Sequence, residues 1–290
     1  PMTFEEFLLA EGEPLLLKNI QEVNVKNFRD FSGALHQRCN EKLREFLFAG
    51  GMPEVVFYYT KNHNLVQTVE VQRSIINTYK DDFSKYASRR DLLRMQLAFD
   101  YLSGNTGRKI KYVNISREDT SKEIKTVVDL LTKAGVARKI HHSTCSGLPL
   151  GAGINLNTYK TLFLDTGLMI ANQGLDWSQI RVSDNSLVNE GAIAEQFVGQ
   201  HLYYLDKQLP SLHYWLSESR GANAEVDFVI TLRGRIVPVE VKAGKSGSMK
   251  SLQSFLAEKG LTKAVRFDLN PPAYFTAAHR VRQQNDFVKV

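Results

Sequence analysis

Cysteine is almost missing from this chain: Cys39 and Cys145 are the only two in 290 residues. So few, so far apart, cannot make a disulfide scaffold, and a reducing, cytoplasmic setting is the expectation. No apolar run approaches the roughly 20 residues that span a bilayer. The N-terminus lacks the pattern of a signal peptide, and no membrane partner is expected. Initiator methionine is absent too: the chain opens Pro1-Met2-Thr3, as a piece of something longer would. Internal repeats and low-complexity segments are not found. Neither sign of charge is strongly in excess. A net charge of +6 and a pI near 9.2 permit contact with a polyanion such as DNA without demanding it. What is present, 43% hydrophobic and 23% charged residues, is the composition of an ordinary soluble protein, long enough for two or three domains.

Taken in order, the chain begins with helices. Phe4, Phe7 and Leu8 recur at helical spacing before Gly12 and Pro14. A second helix is expected over 41–48, stopped by Gly50-Gly51-Met52-Pro53-Glu54, since glycine costs backbone entropy and proline removes a donor. A long helical rhythm follows over 64–87. From Asp91 the pattern is helix, a short piece at 111–116, and a helix opened by the capping box Thr120-Ser-Lys-Glu123 with Ile124, Val127, Val128 and Leu131 buried. A strand over 136–142 and a loose hairpin over 143–153 come next. Helices followed by a β-wing are the order of a winged helix-turn-helix. Lys122, Lys125 and Lys133 on its last helix, with Arg138 and Lys139 on the wing strand, are candidates for DNA phosphate contacts, diluted by Glu118, Asp119, Glu123 and Asp129. A strand or strand-turn over 159–169 and a polar linker over 172–185 lead to a final unit: helix 187–205, strands 212–217, 224–232 and 235–242, helix 248–259 and strand 263–268. The fold class is therefore α/β overall, α+β by segment: a helical N-terminal region, a winged helix, then an α-β-β-β-α-β unit.

Polar residues gather on that last unit. If Arg233-Gly234-Arg235 turns the chain, the strands on either side pair antiparallel and bring Asp227 close to Glu240 and Lys242. Strict alternation puts Glu225 and Asp227 on one face and Val226, Phe228 and Ile230 on the other. Two carboxylates and an amine beside an apolar sheet suit a divalent cation with a lysine next to it. On helix 187–205, Glu195 is expected on the stripe of Val188, Ala192, Val198 and Leu202, where a charge is expensive unless paired or bound to metal. Gly191 and Gly199 would leave that stripe open to close approach.

Three other signals fail on their chemistry. Gly244-Lys245-Ser246 looks like the end of a phosphate-binding loop, but Val239 stands where that pattern needs glycine. Asp165-Thr166-Gly167 matches the aspartic-protease triplet, which requires a second copy to share a proton and a flap-like hairpin. His141, His142 and Cys145 have no second ligand cluster, and adjacent strand histidines point to opposite faces, so zinc is not expected there.

Glu195, Asp227 and Glu240-Val241-Lys242 on an α-β-β-β-α-β frame resemble the PD-(D/E)XK nuclease superfamily, the fold of many restriction endonucleases. The resemblance implies Mg²⁺ or Mn²⁺ held by Asp227 and Glu240, with Glu195 assisting as the helix acid and Lys242 orienting or activating the attacking water. Val226 departs from the proline of the superfamily pattern. Over nearly the whole chain, Pro1-Met-Thr-Phe-Glu-Glu-Phe-Leu, Gly50-Gly-Met-Pro-Glu, Lys160-Thr-Leu-Phe-Leu-Asp-Thr-Gly-Leu168, Glu225-Val-Asp-Phe and Glu240-Val-Lys resemble the C-terminal region of a family of bacterial and archaeal AAA+-type ATPases, a region classed as a domain of unknown function. That likeness implies residues 1–88 as a helical region following an absent ATPase core, 89–170 as a winged helix and 186–290 as a restriction-endonuclease-like domain. It makes Asp165-Thr-Gly the end of a structural strand. It also implies DNA and the family's own or another AAA+ ATPase domain as partners, and ATP only through the missing N-terminal domain. A catalytically inactive DNA- or protein-binding regulatory module on the same fold is the competing expectation.

Overall fold

Thr3 sets the first helix by a reciprocal cap: its backbone N–H donates to Glu6 Oε2 at 2.7 Å and its hydroxyl accepts from the Glu6 N–H at 3.3 Å. In the computed structural model, which describes all residues except 86–87, 182–189, 206–211, 219–222, 279–283 and 290, the helices are α1 (Phe4–Ala10), α2 (Pro14–Glu22), α3 (Gly33–Ala49), α4 (Pro53–Asn62), α5 (Leu65–Phe83), α6 (Arg89–Gly104), α7 (Ser121–Lys133), α8 (Thr166–Asn172), α9 (Trp177–Arg181), α10 (Glu190–Leu205) and α11 (Lys250–Lys259). The strands are β1 (Ala137–Ser143), β2 (Ile154–Phe163), β3 (Leu212–Leu216), β4 (Glu225–Leu232), β5 (Arg235–Val241), β6 (Lys263–Phe267), β7 (Ala273–Ala278) and β8 (Gln284–Lys289). The protein is thus mixed α/β with a helical N-terminal part. The expected helix start at Leu187, the stripe residue Val188 and positions 182–185 of the expected linker lie outside the described residues.

The chain folds as two compact units, each built from separate stretches of sequence. The first comprises residues 1–17, 41–139 and 161–196. Its core includes Phe7, Phe46 and Tyr59, whose rings meet at 5.4 and 6.1 Å, and Phe99 against Phe83 and Phe163 at 5.7 and 5.1 Å. The Gly-Gly-Met-Pro-Glu turn is explained here. Asp165, fully buried, caps α8 by accepting from the Leu168 N–H at 3.0 Å and reaches back to accept from the Gly51 N–H at 2.7 Å. A Cβ at Gly50, where φ is +77°, would lie 2.1 Å from Asp165 Oδ1, so only glycine fits. Of the strand or strand-turn expected over 159–169, the strand part stops at Phe163, where β2 ends, and Thr166 already begins α8, because Asp165 is a helix cap. The expected linker likewise contains α9, whose Trp177 packs edge-on to Phe48 at 5.3 Å. Pro14, expected only to stop a helix, opens α2.

The second unit comprises residues 18–40, 140–160 and 197–290 and holds a mixed sheet in the order β2-β1-β3-β4-β5-β6-β8-β7. β3, β4 and β5 run antiparallel in sequence, and β6, reached through α11, pairs parallel with β5. One face packs on α11: Trp215, Val226, Val229 and Ala264 with Leu252, Phe255 and Leu256, joined by Cys145 and Leu150. The Trp215 and Phe255 rings meet edge to face at 5.1 Å. The strand expected as part of a separate wing is a member of this sheet, with His141 and His142 pairing in parallel with His213 and Tyr214.

Candidate functional site

The β4–β5 hairpin turns on two residues, Arg233 and Gly234, both at positive φ (50° and 70°), with Leu232 paired to Arg235. That is the turn whose twist matches flanking strands. Register from there is regular to Phe228 opposite Val239. Beyond it Asp227 leaves the ladder's role to its side chain: Oδ2 accepts from the Val241 N–H at 2.7 Å. On the other edge of β4 the register with β3 slips, from His213 opposite Val229 to Trp215 opposite Val226. Three steps on β4 answer two on β3, which is a β-bulge, and bulges re-aim side chains. Strict alternation therefore fails here. Val226 and Val229 share the α11 face, contrary to the expected grouping of Val226 with Phe228 and Ile230.

Glu240 is 4% exposed. Its Oε1 accepts from Lys242 Nζ at 2.5 Å, while Oε2 is buried with no hydrogen-bond partner among the described residues. Burial, and then the neighbouring Asp227, push its pKa up to about 7 against the partial relief given by Lys242. Burial pushes Asp227 upward as well, opposed by Lys160, the Val241 N–H and Lys242. The Lys242 stem is held by the loop that follows it: Gly247 has φ +146°, and a Cβ there would come 2.8 Å from Lys242 Cδ. Arg266, opposite Glu240 on β6, pins that loop by donating to the Gly247 carbonyl at 3.0 Å and pairs with Asp268 at 2.8 Å.

Lys160 is the member that the sequence reading missed. It is buried near the end of β2, pairs with Glu225, and holds its ammonium 5.0 Å from the centre of the buried Tyr214 ring. Burial chiefly, and Glu225 after it, push the Tyr214 phenol up to about 12 although the Lys160 charge opposes this. The unit thus sets Glu225, Asp227 and Glu240 among two ammonium groups. A lysine in an otherwise apolar strand, Tyr-Lys-Thr-Leu-Phe, was the available signal.

Glu195 belongs to the other compact unit. It is half-buried on α10, its carboxylate set against the backbone of Gly107, where a Cβ would lie 2.4 Å from Oε2. The α10 residue with the deeper role in that unit is Gln196, whose amide holds the Phe163 backbone by two 2.8 Å bonds, one given and one received. Gly191 is exposed, with open space where its side chain would be, so it serves no close approach. Lys122, Lys125 and Lys133 lie on α7, with Lys122, Lys125 and Lys133 all on its solvent side, and Arg138 and Lys139 are half-buried, Lys139 paired with Asp129. Of the acids expected to dilute this face, Asp119 and Glu123 are engaged by buried Arg94, which donates to them at 2.8 and 2.5 Å and also to Asp91 at 2.9 Å. All three carboxylates are held below their ordinary range, Asp119 chiefly by Arg94, Asp91 by the Ser88 hydroxyl and then Arg94, and Glu123 by the Thr120 N–H and hydroxyl and then Arg94. Among the described residues, no third His, Cys, Asp or Glu ligand atom joins Asp227 and Glu240 within 4.8 Å of one another.

Residues 40–179 match the family model of a domain of unknown function, DUF8612, and residues 190–286 match that of another, DUF4143. No curated protein and no solved structure matches the chain.

Proposed function

We propose that the protein is the DNA-associated, nuclease-like C-terminal module of an AAA+-type ATPase, and that it hydrolyses phosphodiesters at Asp227, Glu240 and Lys242 with Mg²⁺ or Mn²⁺. One observation carries the reading: the buried Glu240 Oε2, without a hydrogen-bond partner among the described residues, beside a second carboxylate that raises its pKa. A buried acceptor left unmade costs about 1–3 kcal/mol, and a hard divalent cation is the ligand that two such carboxylates suit. When bound, that cation supplies charge stabilisation to the phosphate oxygens and a more acidic water. Asp227 and Glu240 are the residues that would hold it. Lys242, already 2.5 Å from Glu240, is placed to turn its ammonium to the charge that develops on the phosphate. Lys160 keeps Glu225 paired and β4 in place beside the acids.

DNA as the substrate class is supported by the charge over residues 88–140, where twelve lysines and arginines face six acids. Five of those acids are already paired within their own unit, to Arg94, Lys80 or Lys139. Cations of this kind bind phosphate backbones without regard to sequence. ATP enters only through an ATPase domain, the family's own or another.

A second reading has its own observation. Lys242 and Lys160 already give the acids ammonium partners, and no third ligand atom among the described residues joins Asp227 and Glu240. On that reading the unit is a catalytically inactive DNA- or protein-binding regulatory module. Incubation with supercoiled, linear and branched DNA in Mn²⁺, beside the Glu240→Ala, Lys242→Ala variant, separates the two. Cleavage lost in the variant supports hydrolysis; binding without cleavage of any DNA form by the wild type rejects it.

A further inference from the structure

The helical unit carries a second cluster of ligand-bearing side chains that the nuclease-like reading does not use. Glu11 is the C-cap of α1, Glu45 lies on α3, and His63 is the C-cap of α4 in a left-handed conformation. One ligand atom from each lies within 4.8 Å of the other two. Lys42, on α3 and buried, donates to Glu11 Oε2 at 2.6 Å and to Glu45 Oε2 at 2.8 Å. The second oxygen of Glu11 is the telling one. That side chain is only 2% exposed, and its Oε1 is buried with no hydrogen-bond partner among the described residues. His63, by contrast, is exposed, which opens one side of the cluster to solvent.

The two carboxylates share the ammonium of Lys42, and the imidazole adds a nitrogen ligand atom. We propose that Glu11, Glu45 and His63 form a binding site for a borderline divalent transition metal of the Zn²⁺ type, with Lys42 as the outer partner that orients both carboxylates. One nitrogen and two carboxylate oxygens are a ligand set that zinc accepts, with a fourth position left for water. Mg²⁺ and Ca²⁺ demand six or more oxygens and suit it poorly. Ligating carboxylates are ordinarily hydrogen-bonded through their other oxygen, which is the task Lys42 performs on each. Tyr59 completes the wall, its ring meeting that of His63 edge-on at 5.1 Å. The exposed imidazole provides the way in.

The test is Zn²⁺ uptake by the whole chain in competition with a chromogenic chelator, in an Asp227→Asn, Glu240→Gln background that removes the acids of the other site. One equivalent should be retained there. His63→Asn, which keeps a residue tolerant of the left-handed backbone, should weaken that equivalent about tenfold or more, as even outer-shell changes do. Glu11→Gln should do the same. Co²⁺ substituted for Zn²⁺ should give the intense visible bands of a four-coordinate site, lost in His63→Asn. Absence of stoichiometric uptake, or uptake that neither His63→Asn nor Glu11→Gln alters, would overturn the site. Because His63 is exposed, its variant tests the claim even if Glu11→Gln fails to fold.

Discussion

Burial raises the proton affinity of Glu240 more than Lys242 lowers it, and this has a measurable sign. Its folded-state pKa of about 7 lies above the ordinary 4.5, so between those values the folded protein holds a proton that the unfolded chain has released. Stability from this group is present at low pH and is lost as pH rises through about 7. Asp227 is displaced in the same direction. Glu240→Gln should therefore make the metal-free protein more stable than the wild type at pH 8, by about 1–3 kcal/mol. The gap should close as pH falls toward 4.5, and urea unfolding across that range measures it. A gap that widens on acidification would mean that the Lys242 pair outweighs burial.

At the scale of elements, the α6–α7 pair shows how charge fixes a local arrangement. Arg94 takes Asp91 on its own helix, Asp119 just before α7 and Glu123 on the first turn of α7. Glu123 also closes the capping box with Thr120. All three carboxylates have depressed folded-state pKa values. Their contribution is thus present above the ordinary carboxylate pKa near 4 and is lost as pH falls below it. Arg94→Met takes that cation from Asp91 and Glu123 and leaves Asp119 the exposed Arg90, 3.4 Å away, so it should destabilise the fold more at pH 7 than at pH 3. Hydrogen exchange should show α7 amides losing protection first. Equal protection in the variant would mean that the apolar face of α7 holds it alone.

The Thr120–Glu123 box, the Arg233–Gly234 turn and the order of α10, β3, β4, β5, α11 and β6 are all legible in the sequence, because each follows from local periodicity, caps or turn chemistry. What is not legible depends on partners distant in sequence. β1 reads as half of an isolated wing, but its parallel pairing with β3 joins residues separated by the whole of α8 to α10. The bulge opposite Tyr214 is one extra residue in a strand whose alternation reads normally. Asp165 reads as strand because Leu162, Phe163 and Leu164 precede it, and only its bond to Gly51 reveals a helix cap tied across the unit. Lys160 cannot be assigned to the acidic site from sequence because the strand carrying it is remote from the motif that names that site.

For the molecule as a whole, a net charge of +6 understates what α7 presents, since most acids nearby are spent on Arg94 and Lys139. Lys122→Ala, Lys125→Ala, Lys133→Ala should reduce the slope of log affinity for duplex DNA against log salt by about 2–3, close to 0.9 for each phosphate no longer neutralised. It should leave preference among sequences unchanged. An unchanged slope would place DNA, if it binds, on another surface. The central claim concerns the acids of β4 and β5, and it is tested most directly by locating Mn²⁺ through its anomalous scattering in a crystal soaked at pH 8. The account predicts a peak bonded to Asp227 and to Glu240 Oε2, with Lys242 displaced from Glu240. A map with no peak at that pair, or with Mn²⁺ only at Glu11, Glu45 and His63, would contradict it.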